Sequence, residues 1–307
     1  MSIILSGMTD KRIIDLSEEP AALSVRYDQL IIKHPDRTHS VPLEDLAVLI
    51  LSNPVINCTQ AVLAGICAES GTIIICNEKR LPVGLLMPLA DNSVQAERFA
   101  AQAAVQLPTK KRIWMQIIKA KIIAQGELLK SLKGDDHGLV VMTKKVRSGD
   151  PNNFEAQASR RYWPALFGDS FRRIPGSNDG INRLLNYGYA IMRGIVCRAI
   201  CASGLHPTLG VHHHNRYNPF CLADDLMEPL RPLADRAVWR AIDIWGPDTP
   251  LNNDAKKVLL ENIMNANLLI GKESRNIFDA ISRYSSSLAS VYLGNCRKLM
   301  IPAINYD

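Results

Sequence analysis

One change of pattern, at Asp91-Asn92-Ser93, most constrains what this 307-residue chain can fold into. Before it, short apolar runs alternate with turn signals. RIIDL, ALSVRY, DQLIIKH and SVPLEDLAVLIL are rich in Ile, Leu and Val, and Glu-Pro or Pro-Asp-Arg separates them. Runs of that length and spacing predict a meander of short strands. Asn57 to Glu69 has apolar residues at helical spacing, with Thr59 as its cap, and predicts one inserted helix. TIIICN (72–77) and LPVGLLMPL (81–89) return to strand character.

After the change every periodic segment is helical. Val94 to Val105 is Ala-rich, with Ser93 as N-cap. Pro108-Thr109 opens a long helix carrying Ile and Leu at i, i+3 and i+4 spacing, followed by the shorter element HGLVVMTKKVRSG. Pro151 starts a helix through PNNFEAQASRRYWPALFG, and Asp179-Gly180-Ile181 begins a long one stopped by Gly204. Asp224 or Asp225 begins the next, which ends near Gly246-Pro247; Asp254 to Leu269 and Glu273 to Leu299 complete the set. The fold class is therefore α+β: a small β domain over 1–90, a strand meander with one short helix, then a larger all-α domain over 91–307.

Composition narrows the class of function. A hydrophobic share of 47% and a charged share of 21% are ordinary for a globular protein. No apolar run reaches 18 residues, which excludes a membrane helix, and the N-terminus lacks the basic region of a signal peptide. The expected address is the cytoplasm. Seven cysteines without CxxC pairing read as buried thiols of a reducing compartment, not as a zinc site. The net charge is +6, but Pro108 to Arg173 alone holds fourteen Lys or Arg against six Asp or Glu. A positive field so concentrated points to a polyanionic partner, against the plainer reading of a solvated helix face.

The densest chemistry lies in Gly204 to Pro232, where His212, His213 and His214 precede Asp224, Asp225 and Glu228 across a turn-rich NRYNP segment. An imidazole and a carboxylate on either side of a turn can converge on a metal. Asp225 and Glu228 stand three apart and can face one point from a helix. The same spacing also reads as a capping box with Pro229 in the first turn. Glu155, behind the SGDPNN start signal, reads as a helix N-terminal charge.

Three ordered blocks go further. GDPNNFEAQASRRYW (149–163), LNYGYAIMRGIVCRAICASGLHPTLGVHH (185–213) and LADDLMEPLRPLAD (222–235) resemble the signature segments of the CRISPR adaptation integrases, the Cas-one family, which insert new spacers into CRISPR arrays. The order of the blocks, the β-then-α plan and the length all agree. HHHNRYNPFCLADDLMEP is most similar to the compact type II members. The resemblance implies Glu155, His213 and Glu228 as catalytic metal ligands for Mg²⁺ or Mn²⁺, with His212 and His214 as neighbouring registers of the histidine. Asp225 is implied as an accessory carboxylate, and Tyr187 and Arg231 as DNA-side contacts.

The implied reaction is phosphoryl transfer: a DNA 3′-hydroxyl attacks a phosphodiester at the leader–repeat border. Two carboxylates and one imidazole suit a hard divalent cation that polarises the scissile phosphate. Backbone contacts to double-stranded DNA are expected from Lys110, Lys111, Arg112, Lys144, Lys145, Arg147, Arg160, Arg161, Arg172 and Arg173. The resemblance further implies homodimers, formed through the β domain and bridged by a smaller CRISPR-associated protein (Cas-two) in a heterohexameric complex. The competing readings are a metal-dependent repair nuclease and a non-catalytic DNA-bridging scaffold.

Overall fold

The computed structural model describes residues 3–6, 11–78, 82–88 and 92–306. Leu81, Leu89 and Asp91, named above for a strand and a turn, lie outside the described residues, as does most of the N-terminal decapeptide.

The N-terminal part folds as two sheets. Strands β1 (Ile3–Ser6), β2 (Arg12–Leu16), β6 (Leu46–Leu51), β8 (Thr72–Cys76) and β9 (Pro82–Leu86) form the first, in the order β1-β2-β6-β8-β9. Strands β3 (Ala21–Arg26), β4 (Gln29–Lys33), β5 (Thr38–Pro42) and β7 (Ile56–Cys58) form the second, in the order β5-β4-β3-β7. Only β3-β4-β5 is the expected meander. β2 and β6, β6 and β8, and β3 and β7 pair in parallel. Parallel neighbours need crossovers, which a reading of local turn signals does not reveal.

The parallel centre explains the run LAVLIL. A strand covered on both faces needs apolar residues at every position. Leu46 and Leu49 enter a core against the second sheet and helix α1 (Gln60–Ala68), whereas Ala47, Val48 and Ile50 face the helical part. A bulge opposite Arg12 and Ile13 inserts Ala47 and resets the alternation.

The rest is mostly helical: α2 (Gln95–Ala104), α3 (Leu107–Lys133), α4 (Leu139–Met142), α5 (Phe154–Phe167), α6 (Gly180–Ala202), α7 (Cys221–Met227), α8 (Arg231–Trp245), α9 (Asn253–Met264) and α10 (Ile277–Tyr292). "All-α" needs correction, because β10 (Leu268–Ile270), β11 (Glu273–Arg275) and β12 (Ala303–Ile304) make a small sheet in order β11-β10-β12. Glu273 therefore opens a strand, and α10 starts four residues later behind the Asn276 cap. Helix α2 starts behind Val94, not Ser93.

The α6 sequence GYAIMRGIVCRAI is apolar on nearly all sides because α6 is central. It packs on α8, α10 and the inner face of the first sheet, and one core joins Ile13, Val48, Ile50 and Ile74 to it. The seven cysteines are free thiols; Cys197, Cys201 and Cys221 are buried, while Cys58 is exposed. Among the described residues no helix is long and apolar enough to cross a membrane.

Candidate active site

Glu155 is set by the turn before it. Gly149, Asp150 and Asn153 all have positive φ, at 79°, 48° and 53°, and coil the chain into the start of α5. Asp150 accepts from the amides of Phe154 and Glu155, each at 3.0 Å, and Asn153 accepts from Ala156 at 3.2 Å. The caps satisfy the free amides of the first turn and fix the Glu155 backbone.

Glu228 is set by an interruption. Between α7 and α8 the chain tightens into a 3₁₀ turn, Glu228–Leu230, flanked by helix on both sides. Pro229 and Pro232 lack the amides that a continuous α-helix would use there. The α7 helix starts at Cys221, so Asp225 lies inside it. The capping-box reading of Asp225 and Glu228 is thereby corrected.

Asp225 instead organises the histidine loop. Fully buried, it accepts from the amides of Val211 at 2.6 Å, His212 at 2.9 Å and His213 at 3.2 Å. It also lies 2.6 Å from Nδ1 of His213. Gly210 permits this closeness, since a Cβ there would stand 2.4 Å from the His213 carbonyl oxygen and 3.1 Å from the Asp225 carboxylate. An ionised carboxylate only accepts, so Nδ1–H donates to it and Nε2 is left as the ligating or basic nitrogen. This bond raises the His213 pKa against the opposing effect of burial. His212 has a different task. Its ring stacks on Trp114 at 4.1 Å with planes 5° apart, and burial lowers its pKa.

The two glutamates meet through a lysine. Lys121 of α3 donates to Glu155 Oε1 at 2.6 Å and lies 2.5 Å from Glu228 Oε2. Arg231 Nε donates to the other Glu228 oxygen at 2.8 Å. Burial pushes the Glu228 carboxyl up, but the charges of Arg231 and Lys121 outweigh it and pull it down to about 2. Lys121 is raised despite its own burial, chiefly by Glu228 and then Glu155. Thus Glu155 and Glu228 are brought together through Lys121, while His213 is turned toward Asp225 and feels the Glu228 charge only at a distance. Among the described residues no three His, Cys, Asp or Glu side chains are gathered as a metal site. The carboxylate pair nevertheless fits a cation, because it already clamps one, the Lys121 ammonium, with hard oxygen donors suited to Mg²⁺ or Mn²⁺.

A cavity of about 560 Å³ opens beside Glu228, lined by Lys121, Gln125, Trp163, Arg173, Tyr189, Arg193, Glu228 and Arg231, with Asn77 and Val83 from the β part. Arg231 lies over the Tyr189 ring at 4.6 Å, so it belongs to the site's wall as much as to any DNA surface. Arg173 is committed to α6, donating to Asn182 at 2.9 Å and Asn186 at 2.7 Å, and is not the free surface cation expected. Tyr187 is a clear correction. It is buried, and its hydroxyl donates to Asp15 of β2 at 2.5 Å, inside the core where it cannot serve as a surface contact.

Lys111, Lys144, Lys145, Arg147, Arg160, Arg161 and Arg172 are exposed, and Lys110 and Arg112 are half-buried on the first turns of α3. Two functional neighbours escaped the sequence reading: Lys121 and Trp114. Lys121 carried a signal, as a cation on the stripe Ile117, Ile118, Ile122 of α3, all buried. Asp224 holds the far end of the histidine loop, accepting from Arg193 at 2.9 Å and Asn218 at 2.7 Å.

A two-sheet β part packed against a mostly helical part, with two glutamates held on one lysine beside a cavity, is the architecture set against known proteins. The family model described as "CRISPR associated protein Cas1" matches residues 15–262, and the chain belongs to the Cas1 family. A relative from Neisseria meningitidis serogroup C, a CRISPR-associated endonuclease Cas1, is 34% identical over 292 residues, 94% of this chain and 95% of its own. A second, from Saccharolobus solfataricus, is 27% identical and covers 76% of each chain. Among solved structures, a casposase bound to integration product has a TM-score of 0.79 at 20% identity, covering 94% of this chain and 92% of its own. A Cas1 protein from Thermotoga maritima has a TM-score of 0.72 at 16% identity, covering 96% and 99%.

Proposed function

We propose that this chain is a metal-dependent DNA integrase and endonuclease of CRISPR adaptation, acting in antiviral defence. The observation that carries the reading is the clamp of Glu155 and Glu228 on one cation, beside a histidine whose Nδ1 is held by Asp225. Glu155, Glu228 and His213 Nε2 would hold Mg²⁺ or Mn²⁺. Bound there, the ion would supply Lewis-acid polarisation of the scissile phosphodiester and stabilise charge on the attacking or leaving oxygen.

The chain's own groups do the rest. Asp225 keeps the imidazole in one tautomer and orientation. Arg231, held by Glu228 and the Tyr189 ring, supplies fixed positive charge along the cavity wall, where the non-bridging phosphate oxygens would gain charge, and Lys121 adds a second cation to the same wall. The exposed cations of α3, α5 and the Thr143–Arg147 turn would grip the DNA backbone without reading sequence. The relative's name, CRISPR-associated endonuclease, supports the activity. A structural neighbour named as a Cas6-RT-Cas1–Cas2 complex supports a Cas2 partner, and one named as a Cas1–DNA complex supports the DNA. Homodimers through residues 1–90, bridged by Cas2 in a heterohexamer, and the division into 1–90 and 91–307, belong to the same proposal.

The test uses a duplex with free 3′-hydroxyls and a supercoiled plasmid carrying a leader and repeat, with Mn²⁺ and the Cas2 partner. Strand-joined product is expected, and Glu155→Ala or His213→Ala should lower it by about 10²-fold or more while leaving DNA binding in place. Cleavage with no joining would give the repair-nuclease reading instead. Joining untouched by either substitution would leave the site structural.

A further inference from the structure

Two carboxylates sharing a buried site repel each other unless a cation lies between them. Here that cation is part of the chain. Lys121 is 7% exposed, and its stem runs along the apolar stripe of α3. Its ammonium touches Glu155 at 2.6 Å and Glu228 at 2.5 Å, the position that a bound divalent ion would also claim. It has somewhere else to go. Lys121 and Gln125, one helical turn apart, both line the cavity beside the carboxylates. Gln125 is 3% exposed, and its Oε1 is buried without a hydrogen-bond partner.

We propose that Lys121 is a built-in surrogate cation, displaced toward Gln125 Oε1 when a divalent ion binds between Glu155 and Glu228. This rests on the metal reading of the site. In the metal-free protein the ammonium holds the two carboxylates together, so the binding geometry exists before the ion arrives. Loading then exchanges one cation for another and never exposes a naked carboxylate pair. Affinity is set by that competition. A monovalent ion has no electrostatic advantage over an ammonium already hydrogen-bonded to Glu155 and ion-paired with Glu228, whereas a divalent ion does. The unpartnered Gln125 oxygen becomes the acceptor for the displaced group, which explains an otherwise costly buried polar atom.

The test is titration calorimetry of Mn²⁺ into metal-stripped protein, with melting temperatures measured alongside. Lys121→Met should bind Mn²⁺ about tenfold tighter or more, because nothing competes. Its metal-free melting temperature should fall by about 5–10 °C, because the carboxylates lose their shared cation. Gln125→Leu should keep the metal-free melting temperature and bind Mn²⁺ several-fold more weakly. Should Lys121→Met prove insoluble, Lys121→Arg serves: a forked, permanently charged group should hold both carboxylates and weaken Mn²⁺ binding. If the wild type binds Mn²⁺ and Glu155→Gln abolishes binding, but the Lys121 variants bind as the wild type does, the surrogate role is wrong and the metal site stands. If the wild type binds no Mn²⁺, the metal reading fails and the surrogate role with it.

Discussion

Glu228 shows how much a single residue depends on its neighbours. Burial alone would raise its carboxyl above the ordinary range; between Arg231 and Lys121 it stays ionised down to about pH 2. A carboxyl whose folded pKa lies below its ordinary 4.5 stabilises the fold above that value. The contribution is lost as pH falls from 4.5 toward 2. The stability difference between the wild type and Glu228→Gln should therefore shrink by on the order of 3 kcal/mol between pH 6 and pH 2. Denaturant melts across that range measure it, and a difference that stays flat would mean that the ion pairs do not form. His213 teaches the complementary point. Three adjacent histidines are equivalent in the sequence, and partners distinguish them: Trp114 takes the ring of His212, Asp225 takes that of His213.

At the scale of elements, the site is built on two unusual helix joints. The α5 start spends three positive-φ residues and two side-chain caps to place one glutamate. The α7–α8 join breaks α-helical geometry for three residues, and the break carries the other glutamate. Asp150→Ala should cost about 1–2 kcal/mol of stability, because two helix amides lose their acceptor. Strand transfer should drop about tenfold or more with it, since Glu155 is one of the residues so held. Thermal melts and the plasmid assay read the two effects separately; full activity in a destabilised protein would show that the cap does not position Glu155.

For the molecule as a whole, a buried ion pair ties the β part to the helical part. Asp15 of β2 accepts from Tyr187 of α6 at 2.5 Å and pairs with Lys256 of α9 at 3.2 Å, and both charges are fully buried. Lys256 also lies over the Tyr187 ring at 5.1 Å. Removing one partner leaves the other charge alone in the interior. Asp15→Ala should thus cost about 3–5 kcal/mol, and Asp15→Ala with Lys256→Met should recover a large part of it. Urea denaturation of the three proteins decides this; a double variant as weak as the single would rule the pairing out as the cause. The cavity draws lining residues from both parts, Asn77 and Val83 from one and Arg173 and Glu228 from the other, so the junction also shapes the site.

The β-then-α plan was legible because hydrophobic patterning is a local property: short apolar runs punctuated by turn residues before residue 90, and i, i+3, i+4 spacing after it. The start of α5 was legible in SGDPNN, since caps and turns act within a few residues. The motif blocks named Glu155, His213 and Glu228 only through the family they resemble, since nothing in the local pattern sets Glu155 apart from an ordinary helix N-terminal charge. What the sequence could not contain was anything that depends on distant segments meeting. The crossovers that make β2, β6 and β8 parallel are of that kind, and so is the small sheet closed by residues 303–304 against 268–269. So is the burial of Tyr187, because a tyrosine's surroundings depend on a strand 172 residues earlier. Lys121 is the sharpest case. A lysine in a helix is ordinarily a solvated charge, and only the convergence of α3, α5 and the 3₁₀ turn makes this one the cation between two carboxylates.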